Sequence, residues 1–182
     1  MTFEIIIGIL LAGILSNNYA LLHFLGTGAV IENDRSSKKT LIVGGCTTAV
    51  MVVATLITWP INHYLLESIS YLQTLVFVVV LLVVVELAHL FTKKYVESYC
   101  KVDFIKFAIN GAVLGLCIHN TELDFLTSAL TAFSVGVGLT LTMVVFSSLQ
   151  QKIDEESVPE SFRGLPIALL VAGMMALVLL AF

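Results

Sequence analysis

Charge is scarce in this chain: Asp, Glu, Lys and Arg make up 12% of its 182 residues, about half the share of an average soluble domain. Against 58% apolar residues and a mean hydropathy of +1.01, that scarcity excludes a soluble core and leaves a nucleic-acid role without support. Cysteine is sparse too. Cys46, Cys100 and Cys117 are an odd number without C-x-x-C spacing, and two of them fall inside apolar runs, which argues for small buried residues and against a disulfide framework. Also absent are a nucleophile constellation, a phosphate-binding glycine loop and a dinucleotide fingerprint. Gly136 and Gly138 are a pair inside an apolar run, where close helix packing is the simpler account. The chain alone is expected to catalyse nothing on a soluble substrate. Its first apolar run lacks the basic segment of a signal peptide, with Glu4 as its only early charge, and is expected to be retained as a span.

What the sequence does contain is six apolar runs, at 3–24, 41–59, 72–91, 104–118, 125–149 and 165–182. Each must be helical, because hydrocarbon offers open backbone no hydrogen-bond partner and these continuous runs lack the alternation of barrel strands. Spans of roughly 20 residues use nearly the whole length, so no separate aqueous domain is expected. The net charge of -4 matters less than its distribution. All nine basic residues fall in alternate gaps: Arg35, Lys38 and Lys39 in the first, Lys93, Lys94, Lys101 and Lys106 around the third, Lys152 and Arg163 in the fifth. Lys and Arg stay on the cytoplasmic face during insertion, so the pattern predicts an all-α, polytopic membrane protein with six spans and both termini outside. Trp59, Tyr64 and Tyr71 flank an outer gap, and Tyr95 and Tyr99 an inner one, as interfacial aromatic belts do.

Three spans per half means that the second half, about 99–182, enters the membrane from the side opposite to the first, about 1–98. This is the pattern of an inverted repeat. The leading span of each half is interrupted: Asn17, Asn18 and His23 followed by Gly26 and Gly28 in the first, Asn110, Gly111 and Gly115 in the fourth. Such spans point to broken helices meeting near the midplane, with Asn17, Asn18 and Asn110 as the candidate site. Glycine is common elsewhere, at Gly8, Gly13, Gly44, Gly45, Gly136 and Gly138, where close helix contact would explain it. The asparagines are more telling, since an unpaired amide in hydrocarbon costs on the order of a few kcal/mol.

Glu86 and His89 in the third span are spaced i, i+3 on one helix face and are candidates for ion or proton handling. The alternative is that Glu86 reaches Lys93, Lys94 or water at the interface. Glu-x-x-His is also half of a di-iron motif, but the second half and two further carboxylates are missing. His63, His119, Glu67, Glu122 and Asp124 read as solvated loop residues. Asp154, Glu155 and Glu156 form a solvated acidic stretch or a dock for a basic subunit.

Four segments carry a family resemblance. The run Asn17-Asn18-Tyr19-Ala20-Leu21-Leu22-His23-Phe24-Leu25-Gly26 resembles the first-span signature of the RnfA and NqrE proteins, six-span subunits of the Rnf and sodium-pumping NADH:quinone oxidoreductase complexes. Ser37-Lys38-Lys39, Asn110-Gly111-Ala112-Val113-Leu114-Gly115 and Val158-Pro159-Glu160-Ser161-Phe162-Arg163-Gly164 are similar to further family segments, in the same order and at nearly the same spacing. The resemblance implies a place in the cytoplasmic membrane of a bacterium or archaeon and a partner of opposite orientation about a pseudo-twofold axis. It implies a 2Fe-2S cluster shared at the midplane, flavin-bearing or iron-sulfur subunits on either side, and coupling to Na+ or H+ movement. The family's cluster cysteines, however, fall where this chain has Gly28 and Gly111. Glycine offers no ligand. A rewired cluster would have to use Cys46, Cys117 or His23, yet Cys117 lies about 9 Å along a helix from Gly111. The expectation is a protein that keeps the fold and the pairing surface without the cluster. The rivals are a transporter-like subunit without redox chemistry and a purely structural one.

Overall fold

A computed structural model describes residues 3–16, 37–66, 70–95, 111–153 and 158–180, and among them every regular element is helical. α1 is Phe3–Leu11, loosening into a π-helical turn at Ala12–Ser16. α2 is Ser37–Ile61 with a π turn at Asn62–Leu66, and α3 is Gln73–Tyr95. α4 is only Gly111–His119, followed by the 3-10 turn Asn120–Glu122. α5 is Phe125–Gln151 and α6 is Leu165–Leu180.

Three helices, Thr40–Leu66, Gln73–Leu90 and Phe125–Gln151, are long and apolar enough to cross a bilayer, and Leu165–Val178 is a shorter apolar helix. The nine residues of α4 cover about 14 Å, under half of a hydrocarbon core about 30 Å thick. The protein is therefore an all-α, polytopic membrane protein. Of the six expected runs, the second, third and fifth have the length of complete spans. The described parts of the first and fourth stop short of one, and 17–36 and 101–110 lie outside the described residues.

The frame is an antiparallel pair, α2 on α5, which make the most extensive contact in the molecule. Gly44 faces Thr140 and Thr48 faces Gly136, while Trp59 meets Phe125 edge-to-face with ring centroids 5.2 Å apart. As numbering rises on α2 it falls on α5. α1 packs on α5, α4 on α2, α3 on α2 and α6 on α5. Met51, Phe77, Val113, Leu116, Leu139 and Phe146 are fully buried between them. Polar residues inside this core turn their hydroxyls back on their own helix: Thr47 donates to the carbonyl of Val43, Thr58 to that of Ala54 and Thr142 to that of Gly138. That satisfies the hydroxyl without a donor from outside the helix.

The two ends of the bundle differ. At one end the Trp59 indole Nε1 donates to the carbonyl of Leu123 over 2.8 Å, His63 stacks on Trp59, and Gln73 Nε2 donates to Asn62 Oδ1 across the α2–α3 connection. Tyr64 and Tyr71 stand there almost fully exposed, at 78% and 83%. His63, expected to be a solvated loop residue, is exposed in the π turn and stacks on Trp59. His119, expected in a gap, is the last residue of α4, and Glu122 and Asp124 are exposed as expected. Lys38 and Lys39 at the start of α2, Lys93 and Lys94 at the end of α3, Lys152 after α5 and Arg163 before α6 all fall at the opposite, basic end. Entry into α6 turns at Gly164, whose φ of 81° is left-handed backbone that favours glycine. Arg163 Nε donates to the carbonyl of Val158 across the same turn.

Candidate functional site at the mid-depth helix crossing

Among the described residues, close helix contacts lie halfway along α5, where α1, α2 and α5 meet through small residues. Gly44-x-x-x-Thr48 on α2 and Gly136-x-x-x-Thr140 on α5 pair in opposite directions. A Cβ on Gly44 would stand 2.6 Å from Thr140 Cγ2, and a Cβ on Gly136 2.6 Å from Thr48 Cγ2, so neither position accepts a side chain without separating the helices. Between these two contacts the hydroxyls of Thr48 and Thr140 approach to 3.0 Å. Each also lies 2.9 Å from the glycine carbonyl one turn back, Thr48 from Gly44 and Thr140 from Gly136, so that with one proton apiece the hydroxyls share their donors between the pair and the helix backbone.

α1 reaches this level as its hydrogen-bond ladder loosens into the π turn. Ser134 Oγ on α5 reaches the carbonyls of Leu10 and Ile9, at 2.8 and 3.2 Å, giving them a donor from the neighbouring helix. A Cβ on Gly13 would collide with Ser134, and one on Gly138 would lie 2.8 Å from the carbonyl of Gly13. Four of the six scattered glycines are thus required by close packing. Gly8 and Gly45 face open space.

A second polar cluster lies toward the aromatic end. The Cys117 thiol on α4 lies against the hydroxyls of Thr58 and Thr55 on α2. Asn120, one turn further, donates from Nδ2 to the carbonyl of Ser128, and Ser128 Oγ returns a bond to the carbonyl of Asn120. This clasp fixes the turn between α4 and α5. Cys46 is half-buried and Cys117 buried.

Comparison with known proteins decides the assignment. A family model described as "Rnf-Nqr subunit, membrane protein" matches residues 6–182. The chain belongs to the Rnf-Nqr family. It is 34% identical over 176 residues to an ion-translocating oxidoreductase complex subunit of Cronobacter sakazakii, covering 93% of this chain and 91% of that protein. The corresponding protein of Sodalis glossinidius, which bears the same description, is 35% identical over the same share. That of Edwardsiella ictaluri is 33% identical over 181 residues, 96% of this chain and 94% of its own.

Of the two positions at which the resemblance puts cluster ligands in this Rnf-Nqr protein, residue 111 is among those described. Gly28, Asn17, Asn18, His23 and Asn110 lie outside the described residues. Gly111 is the exposed first residue of α4 and brings no donor atom. Cys117 faces Thr55 and Thr58, which lie about 14 and 18 Å along α2 from Cys46, so these two thiols cannot bind one cluster. Among the described residues no group of three or more His, Cys, Asp or Glu side chains is placed to hold a metal ion. Glycine at 111 offers a cluster no ligand.

Glu86 and His89 do not form a pair. Glu86 is exposed and His89 half-buried; among the described residues the buried Nδ1 of His89 has no hydrogen-bond partner and no bond joins the two side chains. Residues that the sequence did not single out are Thr48, Thr140, Ser134 and Asn120. The small-xxx-small spacing of Gly44 with Thr48 and of Gly136 with Thr140 was the signal for the first two. Nothing local marks Ser134, whose partners lie 124 and 125 residues away.

Proposed function

We propose that this protein is the RnfA-type component of an ion-translocating oxidoreductase complex, built from two inverted three-helix units and working with other membrane and cofactor-carrying subunits. The observation that carries the reading is its match, along more than nine-tenths of both chains, to relatives described as subunits of such a complex. An ordinary membrane protein of similar hydropathy would not match at such length.

The crossing at Thr48 and Thr140 supports the inverted units. Exchanging Gly44 with Gly136 and Thr48 with Thr140 turns each glycine–threonine contact into the other and maps the central hydrogen bond onto itself. A local twofold axis perpendicular to the helices has that property. The 92-residue separation of this pair also relates Gln73 to Leu165, the first residues of α3 and α6, and Asn18 to Asn110. At the level of whole helices the same exchange turns α1 on α5 into α4 on α2, and α3 on α2 into α6 on α5. Units about 1–98 and 99–182 fit this pattern, and the basic end would face the cytoplasm with both termini outside.

In this role the chain supplies a frame. α2 and α5 hold the leading helices at mid-depth, and a partner of opposite orientation would pack across them. Asn17, Asn18 and Asn110 would cap the interrupted helices. Glu86 and His89 would handle an ion or proton, on the strength of a carboxyl group and a buried, unpartnered imidazole nitrogen on one membrane helix. With glycine at 28 and 111, electrons would pass through groups held by partner subunits. The test is to purify the tagged chain from its native membrane and record metal content with a reduced-minus-oxidised spectrum. Co-purifying redox subunits, with cluster absorbance that does not depend on the cysteines of this chain, are expected. A chain recovered alone in folded form would overturn the reading. Substrate-dependent flux without redox subunits would favour the transporter alternative, for which the missing thiolate at Gly111 speaks.

A further inference from the structure

α3 and α6 both present apolar faces outward, but only one of these faces suits lipid. On α6 the exposed large side chains, among them Leu169, Leu170, Met174, Leu177 and Val178, are all hydrocarbon or thioether. α3 is the least enclosed of the three long helices, with 22% of Gln73–Leu90 buried against 50% in α2 and 56% in α5. Its outward stripe runs Val79, Leu82, Val83, Leu87 and Leu90, each between 48% and 59% exposed, and Glu86 is exposed among them. Leu82 and Leu90 lie four residues to either side on the same face.

Glu86 lies four residues, about 6 Å, inside the end of the apolar stretch Gln73–Leu90. Lys93, the first basic residue after it, is about 10 Å further along the helix. Side chains on a helix lean toward its N-terminus, and the N-terminus of α3 is at the aromatic end, beside Asn62. The carboxyl group therefore leans toward mid-depth, away from the basic end. Facing lipid there, it would leave a charge or unmade hydrogen bonds in hydrocarbon, and acidic residues in membrane helices almost always face protein or a cavity instead.

We infer that the α3 face centred on Glu86 is a protein interface, covered in the working complex by a membrane helix of another subunit that presents a Lys or Arg side chain at the depth of Glu86. This rests on the reading of the chain as one member of a larger membrane complex, and it gives the carboxyl group proposed for ion handling an enclosed setting. Charge complementarity selects the occupant. A second copy of this chain would bring two Glu86 carboxyl groups together across a symmetric face. Eight of its nine basic residues lie in the gaps between the apolar runs, and the ninth, Lys106, falls at the edge of the fourth.

The test uses the tagged chain in its native membrane, with a photo-cross-linking residue in place of Val83 or Leu87 on α3 and of Leu170 or Leu177 on α6 for comparison. Positions 83 and 87 are expected to cross-link to another integral subunit. Glu86→Lys should lower that cross-linking about tenfold or more and Glu86→Gln by a smaller factor, with the chain still inserted at normal abundance. Cross-links from α3 to lipid alone, or to a second copy, would overturn the inference, and so would unchanged cross-linking in Glu86→Lys. If the other subunits co-purify while α3 meets only lipid, this inference fails and the reading of the chain as part of the complex stands. A folded chain recovered without other subunits defeats both.

Discussion

The hydroxyls of Thr48 and Thr140, 92 residues apart in sequence, meet 3.0 Å from one another between two mirrored glycine contacts. The arrangement makes side-chain volume at Gly44 and Gly136 the quantity that holds the two long helices together. Gly136→Val should therefore destabilise the bundle by about 1 to 3 kcal/mol, the usual range for overpacking, read as a lower midpoint of thermal unfolding in detergent. Gly45→Ala, on the open side of α2, should leave the midpoint unchanged. Equal effects at both positions would mean that the close approach of α2 and α5 is not what the glycines serve.

The Thr48–Thr140 contact is itself expected to be modest, because the carbonyl one turn back competes for the single proton of each hydroxyl. A double-mutant cycle with Thr48→Val and Thr140→Val should give a coupling energy of about 0.6 kcal/mol, the average found for interhelical bonds in membranes. Zero coupling would assign the pair to shape alone.

Much of this frame was legible in the sequence, and the remainder was hidden for physical reasons. Hydropathy alone located α2, α3 and α5, because a helix that must cross hydrocarbon has to be apolar for its full length. The expected end of α2 at residue 59 was early. The helix carries Pro60 to Ile61 and then opens into a π turn, so proline, which removes one backbone donor, loosens the end without stopping it. Thr48 and Thr140 carried a local signal in their spacing from Gly44 and Gly136, but their pairing, like the role of Ser134, depends on the register between helices far apart in the chain. Glu86 was visible as an anomaly. That it points outward, away from the bundle, needed the structure.

The single tryptophan of the chain makes the aromatic end measurable. Asn120→Ala removes the Nδ2 donor to the carbonyl of Ser128, which keeps its own bond within α5, at a cost of about 1 kcal/mol, the net worth of one hydrogen bond. The turn that presents the Leu123 carbonyl to Trp59 should loosen with it. Trp59 emission is expected to shift to longer wavelength in Asn120→Ala, and an unchanged spectrum would separate the Asn120–Ser128 clasp from the Trp59 contact.

The two ends of the bundle should label from opposite sides of the membrane. Tyr64→Cys and Tyr71→Cys, both highly exposed at the aromatic end, are expected to react with an impermeant maleimide from the outside of intact cells. Lys152→Cys and Arg163→Cys should react only after the cytoplasmic face is opened. Cys46 and Cys117 would first be replaced by Ala and Cys100 by Ser. Reaction of Tyr64→Cys and Lys152→Cys from one side would refute the topology on which the inverted units depend.

Restoring the family's thiolates tests whether the frame alone would hold the cluster geometry. Gly111 is exposed at the start of α4, so a cysteine there meets no packing penalty of the kind expected at Gly136. A [2Fe–2S] cluster needs four ligands, and in a pair of homologous chains each would supply two. Gly111→Cys alone should therefore leave the spectrum of the purified complex as it was. Gly28→Cys with Gly111→Cys should add cluster-type absorbance and two irons per complex, provided the partner brings its own pair of cysteines. Cluster absorbance lost from the unmodified complex on Cys117→Ala would show instead that this chain already holds the cluster through a rewired ligand. Iron that appears with Gly111→Cys alone would place the second ligand somewhere other than residue 28.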